Sequence, residues 1–249
     1  MIRFLIVAGT VVLFLLFSFG KLAWLNRLGK TDAERKDWLS LRTVQRVFRL
    51  ILRMAGTKVT VRGLENIPTD EAVLFVGNHR SYFDILVGYT TVPTRMGFVA
   101  KKEMEKIPSL SQWMRNVHCL FLDRSNPKEG LKTILEGIKQ VKGGISVWIF
   151  PEGTRNRSES ELDMLPFKEG SLKIAEKSGC LVIPVAMTGT ADIFEKQTPR
   201  IKKSHVIVEY GKPIRLKELG GNDKKFAGAY VQNVIREMLR AQLEERKSA

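Results

Sequence analysis

The residues of this chain best suited to chemistry are a histidine with an aspartate five positions on, two arginines near glycine or aspartate, and a glutamate after proline. They fall in three polar stretches, each following an apolar run: Gly77-Asn78-His79-Arg80-Ser81-Tyr82-Phe83-Asp84, Asp123-Arg124-Ser125, and Pro151-Glu152-Gly153-Thr154-Arg155-Asn156-Arg157. An imidazole with one nitrogen on a carboxylate has a fixed tautomer, and its other nitrogen can take a proton from a hydroxyl. His79 and Asp84 are candidates for that pair. On a regular helix, positions i and i+5 lie about 140° apart and do not meet. Ser81 reads as an N-cap, which makes Tyr82 the first helical residue and Asp84 the third. Asp84 then folds back onto a histidine in the preceding turn. A simple capping box, with His79 an ordinary turn residue, uses the same residues. Arg124 and Arg155 are forked cations suited to phosphate, and Gly153 lets backbone amides approach an anion. Glu152 has two readings: it holds an arginine in place, or it orients an acceptor. Surface or structural ion pairs account for each arginine taken singly.

Bringing such groups together requires elements whose ends converge. Strand-like runs lie at 59–62, 72–76, 96–99, 119–122, 145–150, 181–185 and 205–209, with helical patterns near 82–92, 109–116, 127–142, 168–178 and 223–247. Ser125-Asn126-Pro127 ahead of Leu131, Ile134, Ile138 and Val141 marks a helix start. The alternation predicts an α/β fold, a mostly parallel or mixed sheet flanked by helices. Chemistry in such a sheet collects at the carboxyl edge of the strands, which draws His79, Asp84, Arg124, Glu152 and Arg155 toward one rim. The sequence holds no P-loop, no G-x-G-x-x-G and no G-x-S-x-G. His118 and Cys119 are neighbours on a strand and point to opposite faces. His118 and His205 therefore read as structural or surface residues. Three scattered histidines and two cysteines give no metal-ligand spacing.

The 249 residues carry 41 Lys/Arg against 26 Asp/Glu, a net charge of +15. Such a balance predicts a polyanionic partner: nucleic acid, an anionic membrane or a phosphorylated substrate. A hydrophobic share of 44% excludes a disordered chain, and two cysteines exclude a disulfide framework. Residues 1–58 hold eleven Lys/Arg and three Asp/Glu beside the most apolar run, 4–20, which favours a membrane over nucleic acid. As a helix those seventeen residues span about 26 Å, short of the roughly 30 Å hydrocarbon core. A cleaved signal, a span extended through 22–25 and a single-leaflet anchor all fit. Across 33–55, Trp38, Leu41, Val44, Phe48, Ile51 and Ala55 make one face, and Arg42, Arg46, Arg49 and Arg53 another. That pattern suits a helix in the headgroup layer of an anionic membrane. A soluble helix with a solvated basic face shows the same pattern. We expect a two-helix membrane anchor at 1–57, a catalytic domain at 58–249, and attachment to the cell membrane with that domain on the cytoplasmic face.

The polar stretches resemble the sequence blocks of the glycerolipid acyltransferases, specifically the bacterial 1-acyl-sn-glycerol-3-phosphate acyltransferases. The N-H-x-S-x-x-D block is present from Asn78 to Asp84, the F-x-x-R block from Phe121 to Arg124, and F-P-E-G-T-R from Phe150 to Arg155. An apolar block through proline follows at Val182-Ile183-Pro184-Val185. Phe98-Val99-Ala100-Lys101-Lys102-Glu103-Met104 is similar to the family's A-K-x-E-L segment, and Ser111 departs from a glycine common in the family. The likeness covers roughly 58–215 and the N-terminal anchor. It implies an enzyme that moves an acyl group from acyl-CoA or acyl-carrier protein to the sn-2 hydroxyl of 1-acylglycerol 3-phosphate (lysophosphatidic acid), giving phosphatidic acid. His79, held by Asp84, is the implied base, and no acyl-enzyme forms. Lys101, Arg124, Glu152, Gly153, Thr154 and Arg155 are the implied acceptor-binding residues. No cofactor or metal is implied beyond the acyl donor. The implied partners are a phospholipid membrane and the two substrates, not nucleic acid. Three alternatives stay open: another acceptor such as glycerol 3-phosphate or a different lysolipid, a phosphate-ester hydrolase using His79, and a non-catalytic module for anionic lipid.

Overall fold

Three helices come first: α1 (Ile2–Phe17), α2 (Phe19–Leu28) and α3 (Ala33–Ala55). The structure, a computed structural model, describes residues 1–248, and the side chains of all of these but 169, 247 and 248. Ala249, the last residue of the expected catalytic domain, lies outside the described residues. Strands and helices then alternate: β1 (Lys58–Arg62), β2 (Leu74–Gly77), α4 (Phe83–Thr91), β3 (Met96–Lys101), α5 (Pro108–Asn116) and β4 (Leu120–Leu122). They continue as α6 (Pro127–Lys142), β5 (Ser146–Ile149), α7 (Lys173–Ser178), β6 (Val182–Thr188), β7 (His205–Tyr210), α8 (Gly221–Lys225) and α9 (Ala227–Ser248).

Among the described residues the strands form one seven-stranded sheet in the order β1-β7-β6-β2-β5-β3-β4. The five strands β6, β2, β5, β3 and β4 are mutually parallel. β7 runs antiparallel to β6, and β1 runs parallel to β7. The expected mixed α/β sheet is thus present, and its antiparallel seam has a local cause. The connection between β6 and β7 contains only a short 3-10 turn, and without a crossover helix neighbouring strands pair antiparallel. Successive side chains point to opposite faces and feed two cores. On one face Phe75, Phe98, Trp148, Val185 and Tyr210 meet α3, α4 and α5. On the other, Leu74, Val76, Val147 and Val182 meet α6, α7 and α9.

The N-terminal region differs from the expected pair of helices. The apolar run is broken at Ser18 into α1 and α2, which are bent by 51°. Trp113 Nε1 donates to the Ser18 hydroxyl at 2.8 Å, which ties the bend to α5. No single described helix is long and apolar enough to cross a membrane, although the bent pair is by length and composition. Ile2, Leu5, Val12, Leu13, Leu16 and Phe17 on α1 are exposed. In α3, Leu41, Val44, Ile51 and Ala55 are buried in the core that α4 and the sheet share, with Trp38 and Phe48 packed against it. Its apolar stripe therefore faces protein, which asks for the same periodicity as a bilayer. Arg42, Arg46, Arg49 and Arg53 stay exposed. At the other end, the helix expected over 223–247 is two, parted at Phe226, whose backbone is not helical.

Candidate active site

β2 ends at Gly77, and the Asn78 side chain continues its pairing. Asn78 Nδ2 donates to the Met187 carbonyl and Oδ1 accepts from the Met187 N–H, both at 2.9 Å. This fixes His79 at the carboxyl edge of the sheet. From the first turn of α4, Asp84 reaches back as the spacing requires. Its Oδ2 accepts from His79 Nδ1 at 2.8 Å, from the Arg80 N–H at 2.7 Å and from the Ser81 N–H at 2.8 Å. The Ser81 hydroxyl oxygen accepts from the Phe83 N–H at 3.0 Å. Capping box and histidine–aspartate pair are one arrangement, and the helix starts one residue later than expected, at Phe83. The two side chains are 15% and 1% exposed, and the Phe150 ring stacks on the imidazole at 4.1 Å and 8°. Because Asp84 also accepts two backbone N–H groups, it is the acceptor toward Nδ1, which assigns the ring proton there. Among the described residues no hydrogen bond reaches Nε2, so its lone pair is open.

The third stretch supports the first. Glu152 Oε1 accepts from the His79 N–H at 2.8 Å and Oε2 from the Leu165 N–H at 2.9 Å. The carboxylate thus holds the histidine backbone, where the sequence suggested an arginine or an acceptor. Burial pushes the Glu152 carboxyl above its usual range, against the lowering by those two N–H donors. The His79 carbonyl accepts from the Asn156 N–H at 2.7 Å. Arg80, buried, donates to the Ser158 hydroxyl at 3.1 Å, to the Ser160 carbonyl at 3.0 Å and to the Ser158 carbonyl. The residue between His79 and Ser81 therefore fastens the loop that follows Arg155.

Cations line the same rim. Arg124, after β4, donates from Nη1 to the Gly153 carbonyl. Gly153 has φ +74°, and a Cβ there would stand 3.0 Å from Lys168 Nζ, so glycine meets both a left-handed backbone and a close lysine. Lys101 ends β3, exposed, and pairs in register with Leu122 of β4. Asp123 accepts from Ser125 and pairs with Lys102 at 3.2 Å; these contacts hold its carboxyl at about 2. The Arg155 guanidinium lies 3.6 Å from the centre of the Tyr82 ring, with Nη1 3.2 Å from Glu195 Oε1. Thr154 is exposed. The three stretches do converge, since β2, β4 and β5 are parallel and end on one edge. Such a rim can remove a proton from a hydroxyl and bind a phosphate.

The other candidates are occupied elsewhere. Cys119 Sγ meets the Tyr89 hydroxyl at 3.2 Å, and burial pushes its thiol up. His118 Nε2 lies 2.8 Å from Asp37, and His205 Nε2 2.8 Å from the Thr60 hydroxyl. Among the described residues, no group of three or more His, Cys, Asp or Glu is placed to hold a metal ion.

A family model described as Acyltransferase matches residues 58–188, more than half of the chain and all three polar stretches. The chain belongs to the acyltransferase family. The chain is 31% identical over 204 residues to a 1-acyl-sn-glycerol-3-phosphate acyltransferase of Saccharomyces cerevisiae, covering 82% of the chain and 65% of that protein. It is 33% identical over 158 residues to the Borreliella burgdorferi protein of the same name, covering 64% and 62%. The chain thus spans a little under two thirds of the length of these curated relatives. Its fold matches the crystal structure of the 1-acyl-sn-glycerophosphate (LPA) acyltransferase PlsC of Thermotoga maritima with a TM-score of 0.81 at 26% identity, covering 100% of this chain and 96% of that one. The sequence reading did not include Glu195, Lys168, Tyr82 or the Phe150 ring as neighbours of the site. Phe150 and Tyr82 lie inside recognised blocks and could have been found by asking what covers the imidazole and the arginine. Glu195 and Lys168 stand alone in long connections and carry no local signal.

Proposed function

We propose that this acyltransferase moves an acyl group from acyl-CoA or acyl-carrier protein to the sn-2 hydroxyl of 1-acylglycerol 3-phosphate, making phosphatidic acid at a membrane. The observation that carries this reading is His79, with Nδ1 committed to Asp84 at 2.8 Å and Nε2 open on a cationic rim. The Nε2 lone pair takes the proton of the acceptor hydroxyl as its oxygen attacks the thioester carbonyl. The new C–O bond forms, the C–S bond breaks, and the imidazolium returns the proton to the departing thiolate. Asp84 stabilises the imidazolium, as a buried carboxylate does in other histidine bases. Arg124, Arg155 and Lys101, with Gly153 and Thr154, bind the acceptor phosphate, while Glu152 keeps the His79 backbone in place. Donor carrier protein or CoA needs no further cofactor.

The exposed apolar face of α1 and the bent pair with α2 support a membrane anchor within 1–57, leaving 58–249 as the catalytic domain. The exposed arginines of α3 add attraction to anionic headgroups and favour the cytoplasmic face. The test uses membranes bearing the protein, labelled acyl thioester, and lysophosphatidate, glycerol 3-phosphate or monoacylglycerol as acceptor. Label is expected in phosphatidate and lost in His79→Ala. Transfer by His79→Ala above a few per cent of wild type would remove the histidine from the chemistry.

A further inference from the structure

Outside the residues given roles above, one carboxylate touches both halves of the proposed machinery. Glu195 lies in the connection between β6 and β7 and is 17% exposed. Its Oε2 accepts from the Ser81 hydroxyl at 2.6 Å. Its Oε1 accepts from the Tyr82 N–H at 2.8 Å and lies 3.2 Å from Arg155 Nη1. Tyr82 closes the triangle, with its ring centre 3.6 Å from the Arg155 guanidinium. The carboxylate therefore sits at the N-terminus of α4, where unpaired N–H groups and the helix dipole favour negative charge. The segment itself is held from two sides. Phe194 stacks on Phe4 of α1 at 5.7 Å and 7°, and Asp192 pairs with Arg246 at 3.0 Å and Lys196 at 2.7 Å.

We infer that Glu195 is a positioning residue that sets the spacing between His79 and Arg155, and so selects acceptors whose hydroxyl and phosphate match that spacing. The inference rests on the reading of His79 as base and Arg155 as phosphate contact. One oxygen of the carboxylate grips the turn that carries His79 and Asp84, and the other is shared between that turn and Arg155. A guanidinium fixed in this way is ordered before the acceptor arrives, and its alignment with the base costs nothing further on binding. An acceptor without a phosphate does not use the spacing. A helix cap with no other role would act alike on every acceptor and independently of Arg155.

The experiment uses the full chain in membranes, with kcat and KM measured for lysophosphatidate and monoacylglycerol. The variants are Glu195→Ala, Glu195→Gln, Arg155→Ala and the double Arg155→Ala/Glu195→Ala. We expect Glu195→Ala to lower kcat/KM for lysophosphatidate by about tenfold or more. Monoacylglycerol transfer should fall by less than about threefold, and Glu195→Gln, whose amide oxygen still accepts, should stay near wild type. On top of Arg155→Ala, Glu195→Ala should add less than about threefold. Losses in the double variant that multiply, or equal losses on both acceptors, reduce Glu195 to a helix cap and overturn the inference. The Arg155 cycle decides the case if monoacylglycerol is too poor an acceptor to measure. If Glu195→Ala does not melt cooperatively, Glu195→Asp replaces it, keeping the charge near α4 while withdrawing one methylene from Arg155. A wild type inactive on lysophosphatidate sinks the functional reading and this one together; an active wild type with multiplying losses sinks this one alone.

Discussion

Replacing Asp84 by asparagine keeps the shape of the side chain and removes its charge. Three donors share Oδ2, while Oδ1 is buried and without a hydrogen bond among the described residues. An asparagine has one acceptor oxygen and one NH2 group. With its oxygen toward the three donors, the NH2 takes the Oδ1 position and stays unsatisfied. With the amide reversed, NH2 confronts N–H groups and His79 must carry its proton on Nε2, where no base remains. In either orientation the imidazolium of the transfer step loses its counter-charge. Two unit charges about 4 Å apart at an effective dielectric of about 20 attract by about 4 kcal/mol. At roughly 1.4 kcal/mol per factor of ten, that approaches three orders of magnitude in rate. Asp84→Asn is therefore expected to lower kcat by about 10²- to 10³-fold, with KM for lysophosphatidate little changed. Acyl transfer from a labelled thioester, with thermal melting to confirm folding, provides the measurement. A folded variant within about tenfold of wild type would mean that Asp84 shapes the turn and does not stabilise the charge on His79.

Arg124→Ala should raise KM for lysophosphatidate by about ten- to a hundredfold, from the loss of a charge-assisted contact to phosphate, and spare monoacylglycerol; equal loss on both acceptors would confine Arg124 to bracing the Gly153 carbonyl. Gly153→Ala forces a side chain onto a φ of +74° at a cost of about 1–2 kcal/mol, which a lower melting temperature reports; an unchanged one would show that the loop relaxes. Changing Arg42, Arg46, Arg49 and Arg53 together to Gln should remove the salt-sensitive part of binding to anionic vesicles, about 1 kcal/mol per cation, while α1 and α2 keep the chain attached. If wild type co-sediments alike with neutral and anionic vesicles, the basic face has no electrostatic role. Asp123 has a folded value of about 2 against 3.8 ordinarily, so its contribution is complete above 3.8 and lost as pH falls through about 2. Carboxyl NMR should follow that titration, and a midpoint near 4 would show that the Ser125 and Lys102 contacts are not kept.

The rim was legible because its parts are local. Ser81 and Asp84 announce a helix start, and that start alone brings the aspartate to His79. The convergence of the three stretches needed only parallel strands, which the alternation of strand and helix implies. The antiparallel return at β7 follows from the lack of a helical pattern between the runs at 181–185 and 205–209, which the expectation of a mostly parallel or mixed sheet allowed without placing the seam. The α3 stripe read as membrane-facing, with a core-facing helix as the alternative; its packing on α4, where Phe48 meets Tyr89, decides for the core. Glu152 was misdirected for a similar reason. A carboxylate three residues before an arginine suggests an ion pair, while its actual donors are the N–H groups of His79, 73 residues earlier, and Leu165, 13 residues later.

Phe4 and Arg246 both close on the short stretch from Asp192 to Glu195. A chain leaving the ribosome offers Phe4 before this stretch is made, but Arg246 only after α9 has followed it. The strands that bear His79, Arg124 and Glu152 all precede it, and so does Asp84. The order of synthesis thus runs opposite to the order of support: the growing chain holds its base well before it holds the strut that steadies it. In that order the stretch gains its last brace only when Arg246 of α9 reaches Asp192.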